Sequence, residues 1–445
     1  MRKNRPSRPE SSRKQLPVTT NPSSAALESW LQLFSSSVHL DSLLYKLPPK
    51  QKSLMARILP VVLLRPHAVA GAAGVQLRSG EPWSLENEER GHWKPLERVF
   101  SWLEAKVREG KAVEALALPA GEQDFPPDWV EEWTQSWGEK KARELVRVLG
   151  APAPMSLRVS RQISPEDLIE RLDPERLPVQ IGRGTVAPFA VSLSGYAQVL
   201  NSEPFQEGLF EIQDEGSQLM ALFALWPELL APMLSSEPGT SSDTQSSRAE
   251  FLAGFSLPKA PGNWKVVDAC AGAGGKSLAL ADALRGGGRV FAYDTVPGKL
   301  QALRKRASRS GYRNIQTAPV PEKLEAQEEL LGGKFARSAD RVLVDAPCSG
   351  WGVARRNPDI KWRQDADERD RLARLQLRLL ETYQSLVAPG GFLTFGVCTF
   401  RKEETQGVVA QFTRRFGSEF TPVAGGYLGP GPCDGFYMHA WRREK

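Results

Sequence analysis

The chain has 445 residues, 41% of them hydrophobic and 25% charged, and a formal net charge of +6. This length suits two to four domains rather than one core. The composition excludes a wholly disordered chain and a membrane channel, and the mild positive excess permits a nucleic-acid partner without requiring one.

Residues 1–24 read as a disordered basic tail: Arg2, Lys3, Arg5, Arg8, Arg13 and Lys14 face a single acid, Glu10. From 25 to 150 the pattern predicts a helical domain. Leu54, Ile58, Val61 and Val62 fall near helical spacing, and Trp129, Trp133 and Trp137 share one helix face, as core residues do. Residues 151–210 predict a small α/β subdomain, with strands at Ser156–Ser160 and Phe189–Leu193 and a helix at Ser164–Leu172. Residues 235–249 open with SSEPGTSSDTQSS, which predicts a flexible insertion within a final domain spanning 211–445. There strands at Trp264–Ala269, Arg289–Tyr293, Arg341–Val344 and Phe392–Val397 alternate with helical stretches. That rhythm predicts a doubly wound sheet with ligands at the C-terminal ends of its strands. No apolar run reaches the ~20 residues of a spanning helix, so a soluble, cytoplasmic protein is expected.

The turn after the first of these strands runs Asp268-Ala-Cys-Ala-Gly-Ala-Gly-Gly-Lys-Ser277. A Walker A loop would need glycine at Cys270, and a dinucleotide fingerprint starting at Gly272 would need glycine or alanine at Ser277. What remains is a tight small-residue turn, with Asp294 ending the next strand where it can accept hydrogen bonds from a ribose. This favours a nucleoside of the S-adenosylmethionine type; a turn that only packs strand on helix is the alternative.

The four cysteines are Cys270, Cys348, Cys398 and Cys433. None forms a CxxC pair, and only four histidines accompany them, so neither a metal site nor a disulfide framework is expected. Cys348 and Cys398 follow two strands at the sheet edge where ligands bind. A thiolate that adds to C6 of a pyrimidine makes C5 nucleophilic toward a methyl donor. Such chemistry calls for a thiolate, a carboxyl to hold the base and a second proton-handling group.

The segments DACAGAGGKS, AYD, DAPCSG, RRNPDIKW, GVCTFRKEE and DGFYMHAWRR occur in this order. In this the chain resembles the RNA 5-methylcytosine methyltransferases of the Nol1/Nop2/Sun family, and most of all their bacterial RsmB/Sun 16S rRNA branch. The resemblance implies a Rossmann-like class I S-adenosylmethionine-dependent core, an RRM-like α/β subdomain and a NusB-like N-terminal all-α domain. It implies Cys398 as the nucleophile, Cys348 as the cysteine assisting proton removal and release, Asp345 as the carboxyl on the cytosine edge, and Lys276 as an active-site lysine. It also implies cofactor contacts from Cys270, Ala271, Gly272, Ala273, Gly274, Gly275, Lys276, Asp294 and Asp345. Cys433 has no implied role.

Three departures stand out. Ala273 replaces a common proline, Thr405 replaces an asparagine, and no acid follows the third strand at Asn314–Pro319.

For RNA contact the expected residues are Arg355, Arg356 and Lys361, with Arg363 beside them; the run Lys299–Arg313 is an even choice between RNA and solvent. The expected partner is RNA, 16S rRNA first, met by a monomer with no obligate protein partner. A transfer RNA, or a role as a non-catalytic RNA-binding assembly factor, are the alternatives.

Overall fold

The computed structural model describes residue 47, residues 49–73 and 94–108, and residues 120–444 apart from 178, 196, 240, 241, 286 and 363–365. The expected basic tail and Arg363 lie outside the described residues. The chain divides into two compact units, 1–118 and 119–445.

In the first unit the described elements are helices: Pro49–Leu64, Pro66–Ala72 and Lys94–Arg108. Ile58, Leu59, Val62 and Leu63 are fully buried, as their spacing predicts.

The second unit begins earlier than the sequence suggests. Helices Pro127–Trp137 and Glu139–Leu149, grouped above with the N-terminal helical domain, belong to it. The reason is their tryptophan face. Trp129 stacks 5.1 Å from Trp351, and Trp133 lies 5.8 Å from Phe400, so these helices complete the core beside the Rossmann-like sheet.

Next comes a four-stranded antiparallel sheet: β1 (Met155–Val159), β2 (Ile181–Arg183), β3 (Ala190–Leu193) and β4 (Phe210–Ile212), in the order β2-β3-β1-β4. With helices Pro165–Arg171 and Glu203–Gln206 between its strands, this is a ferredoxin-like βαββαβ module. Ser164 caps the first helix by accepting from the Asp167 amide, while Asp167 accepts from the Ser164 amide.

The expected flexible insertion is corrected. Ser235 pairs with Tyr427, the Gly239 amide donates to the Gly429 carbonyl, and Ser242–Ala253 forms a helix. Arg248 ties that helix down through two hydrogen bonds to the Met233 carbonyl, 2.9 and 3.1 Å long.

The large sheet comprises β5 (Trp264–Asp268), β6 (Gly288–Asp294), β7 (Ile315–Pro319), β8 (Ala339–Asp345), β9 (Val387–Val397), β10 (Phe420–Leu428) and β11 (Phe436–Arg443). Its order is β10-β11-β9-β8-β5-β6-β7, with β5 to β9 parallel and the last two antiparallel. The chain winds outward through β6 and β7, then returns to β8 on the other side of β5. That reversal opens a crevice at the C-terminal ends of β5 and β8. Among the described residues no helix is long and apolar enough to cross a membrane.

Candidate active site

Three strand ends meet at this crevice. Asp268 closes β5, Asp345 closes β8, and Cys398 follows β9. The registers Asp268↔Leu343 and Asp345↔Gly396 set them side by side.

The turn after β5 is shaped by two left-handed glycines, Gly272 (φ 55) and Gly274 (φ 91). They differ in what they face. A Cβ on Gly274 would stand 2.4 Å from Leu303, whereas one on Gly272 would meet nothing within 4 Å. Gly274 therefore serves packing, and the open side of the turn is at Gly272. The Gly272 amide donates to Asp294 Oδ2 (2.9 Å) and the Val296 amide to Asp294 Oδ1 (2.8 Å), which fixes that carboxylate at the end of β6. Ala273 Cα and Cβ take the place of the usual proline without loss of the turn, and its carbonyl accepts from Arg306 (2.7 Å).

Asp268 is fully buried. Ser277 Oγ donates to its Oδ2 at 2.6 Å, while its Oδ1 has no hydrogen-bond partner among the described residues. Burial pushes this carboxyl up to about 7. Cys270 sits among Asp345, Asp268 and Asp294, and burial first, then those carboxylates, drive its thiol upward. A thiolate is disfavoured there.

Lys276 Nζ forms an ion pair with Asp345 Oδ2 at 2.7 Å and lies 5.8 Å from the Phe436 ring. Burial works against its charge, but Asp345 outweighs it and holds the ammonium above the ordinary lysine range.

The two cysteines that the sequence separates by fifty residues are in contact: Cys348 Sγ and Cys398 Sγ stand 3.3 Å apart. The Cys348 thiol is held well above its usual range, by its hydrogen bond to Cys398, by burial and by the charges of Cys398 and Glu404. Beneath the pair lies a second set of bonds. Ser349 Oγ and Thr399 Oγ1 are 2.9 Å apart, linking the residues that follow each cysteine. Glu404 Oε2 accepts from the Ser349 amide and from Gln376 Nε2, both at 2.9 Å, and Gln376 also donates to the Pro347 carbonyl. The Gly352 amide donates to the Cys398 carbonyl, and a Cβ on Gly352 would fall 1.9 Å from the Gly435 carbonyl, so only glycine fits that crossing.

The structure thus brings Cys348, Cys398, Asp345 and Lys276 together, and sets the turn and Asp294 beside them. Cys433 is buried away from solvent. Sequence reasoning missed Asp268 and the Glu404–Gln376–Ser349 set. Asp268 was detectable as an acid ending an apolar strand; Gln376 gave no local signal.

The residues expected to meet RNA have partners within the protein. Arg355 is buried, with Nε on Asp434 Oδ1 (2.9 Å) and a further bond to the Gly431 carbonyl. Arg356 pairs with Asp434 (2.5 Å) and Asp214 (2.8 Å). Lys361 is buried over Phe125 and donates to the Asp124 carbonyl at 2.8 Å. Arg355 and Lys361 point inward, while Arg356 keeps 29% of its side chain exposed and shares two carboxylates. In the Lys299–Arg313 run, Arg306 and Arg309 are committed to Glu211.

A family model described as 16S rRNA methyltransferase RsmB/F matches residues 256–421, and one described as Methyltr_RsmF/B-like, ferredoxin-like domain matches residues 125–199. A probable ribosomal RNA small subunit methyltransferase B from Bacillus subtilis is 31% identical over 73% of this chain. The ribosomal RNA small subunit methyltransferase B of Thermus thermophilus is 36% identical over 44% of it. The chain belongs to the Sun family, in its bacterial RsmB branch.

The matches span 64% and 48% of the lengths of those two relatives. Among solved structures, NSun6 from Pyrococcus horikoshii with SFG superposes with a TM-score of 0.56 at 17% identity, covering 72% of this chain and 99% of that one, a likeness of fold. The family's methyl donor is S-adenosylmethionine. The residues here fit it: Asp268 Oδ1 offers an unpaired buried acceptor for an ammonium group, Asp294 offers a fixed carboxylate, and Gly272 leaves open space between them.

Proposed function

We propose that this protein methylates C5 of a cytosine in RNA, with 16S rRNA as the substrate, through a covalent bond from Cys398 to C6. The observation that carries this reading is the contact of Cys348 with Cys398 beside the Lys276–Asp345 pair. Two cysteines in contact suit a reaction that needs one sulfur to add and a second group to handle the proton that must leave.

Bound S-adenosylmethionine would supply an electrophilic methyl group to C5. Asp268 and Asp294 would hold its charged and ribose ends, with Ala271 to Gly275 forming the floor. Asp345 would accept from the cytosine exocyclic amine. Lys276, kept protonated by Asp345, would offer positive charge to the ring oxygen and oppose the negative charge that builds when sulfur adds. Cys348 keeps its proton more tightly than an ordinary thiol and stands within hydrogen-bond reach of the Cys398 sulfur. Once the Cys398 sulfur is bonded to C6, Cys348 would give its own proton to water and, after methyl transfer, take the C5 proton as a thiolate; the C6–S bond would then break, its electron pair returning to Cys398 as the ring double bond re-forms. The target base must leave its stack to reach these groups.

The test uses labelled S-adenosylmethionine, a 16S rRNA transcript, the wild type and Cys348→Ala. The reading predicts labelled 5-methylcytosine from the wild type and a trapped protein–RNA adduct, stable to denaturant, from Cys348→Ala. No label and no adduct from either protein would refute it.

A further inference from the structure

Far from the cysteine pair, at the N-terminal ends of β5, β6 and β7, a cleft of about 1260 Å³ opens between the ferredoxin-like module and the large sheet. Arg161 comes from the module; Lys265 and Arg289 stand at the starts of β5 and β6, and Arg285 and Arg313 in the connections that lead into β6 and β7. The carboxylate in its lining, Asp282, is already paired with Arg158 at 3.1 Å. Among the described residues, none of the five cations forms an ion pair. Arg161 loses proton affinity through burial and through repulsion from Arg285, and the opposing pull of Asp282 does not make up for them. Such a group is costly unless a polyanion uses it.

The cleft does not end there. A second groove of about 340 Å³ shares Gly311, Tyr312 and Arg313 with it and continues along the edge strand β7 to Arg304 and Thr317. Arg304 donates to Thr317 Oγ1 and has no carboxylate partner among the described residues. A basic track therefore runs from the base of the sheet, around its open edge, toward the end that carries the cysteines. Trp264 and Tyr312 line it as well, which gives bases apolar surface beside the cations.

We infer that this cleft and groove bind the phosphodiester backbone of the RNA substrate at nucleotides remote from the target base. The inference rests on the reading of this protein as an RNA methyltransferase. It adds a second point of grip, on the opposite end of the sheet from the chemistry.

The test is direct binding, read by fluorescence anisotropy with a labelled single-stranded 16S rRNA fragment across a salt series. The wild type is compared with Arg285→Glu plus Arg289→Glu, both exposed positions, and with a charge-matched control outside the cleft, Arg147→Glu plus Arg414→Glu. Each single-strand phosphate contact contributes about 0.7 to the slope of log affinity against log salt. The cleft variant should lose about 1.4 of that slope and bind roughly tenfold more weakly near 0.1 M salt, while the control keeps the wild-type slope. Circular dichroism and melting of the variants confirm that they fold. Equal slopes in wild type and cleft variant, an equal loss in the control, or no RNA binding by the wild type would each overturn the inference. Methyl transfer by the wild type is assayed separately. RNA binding with the predicted slope but no 5-methylcytosine would sink the catalytic reading and leave the cleft standing.

Discussion

Glu404 Oε2 accepts the Ser349 amide at 2.9 Å, directly behind the contact of Cys348 with Cys398. The carboxylate is buried, and burial raises its proton affinity, so it is kept there against a desolvation cost. Its bonds to Ser349 and Gln376 hold the loop that carries Cys348.

Glu404→Ala leaves two buried donors without an acceptor and lets that loop drift. Misplacement by about 1 Å costs on the order of 100-fold in rate. The expected result is a kcat roughly 100-fold lower with cofactor affinity unchanged, and partial rescue by Glu404→Gln, whose amide oxygen still accepts from Ser349. Steady-state kinetics with isothermal titration of S-adenosylmethionine checks both parts.

Asp268 carries a pH signature. Its carboxyl moves from 3.8 in the unfolded chain to about 7 in the fold, chiefly through burial. Its favourable contribution is full below pH 4 and is lost as pH rises through 7. Asp268→Asn has no charge to bury. Without cofactor it should therefore melt higher than the wild type at pH 8, by an amount on the order of 3 kcal/mol, with the gap closing toward pH 4. The same variant should bind S-adenosylmethionine about tenfold more weakly, because the ammonium loses its partner. Thermal melts from pH 4 to 8 and a binding titration decide it.

Arg355 separates a structural arginine from an RNA-binding one. Arg355→Ala leaves Asp434 buried and one cation short, a change that costs about 3 kcal/mol. Denaturant unfolding should register that loss, while RNA affinity at fixed salt stays within about twofold. A large affinity loss with intact stability would contradict the inward orientation.

The unit boundary at Leu118 and Pro119 makes a claim about fragments. Residues 119–445 should give a soluble product with one cooperative melt. A fragment starting at Ala151 removes Trp129 and Trp133, uncovers Trp351 and Phe400, and should aggregate. Trp133→Ala in the full chain should cost about 3–5 kcal/mol.

The sheet was legible in the sequence because its strands alternate with helices and Asp294, Asp345 and Cys398 sit at or just beyond strand ends. The contact between Cys348 and Cys398 follows from β8 and β9 being neighbours, which the chain order alone suggests. The errors share one cause: partners far along the chain. Arg355 and Arg356 look like an exposed basic pair until Asp434, 79 residues on from the first, is placed against them. The tryptophan helix looks like part of the preceding helical domain until Trp351 arrives from beyond two other modules. The polar stretch at 235–249 looks loose because its anchor, Arg248 on the Met233 carbonyl, is a backbone contact that composition does not reveal.

The ferredoxin-like module is bolted to the sheet by charges, with buried Arg158 on Asp282 and with Glu211 taking both Arg306 and Arg309. Swinging the module away would have to separate all three pairs at once, so they hold the module and the sheet at one spacing. This unit is thus a gauge of set width and not a jaw. Under the proposed function, an RNA substrate would have to bring its own bend, and recognition would measure how readily it folds to a fixed spacing.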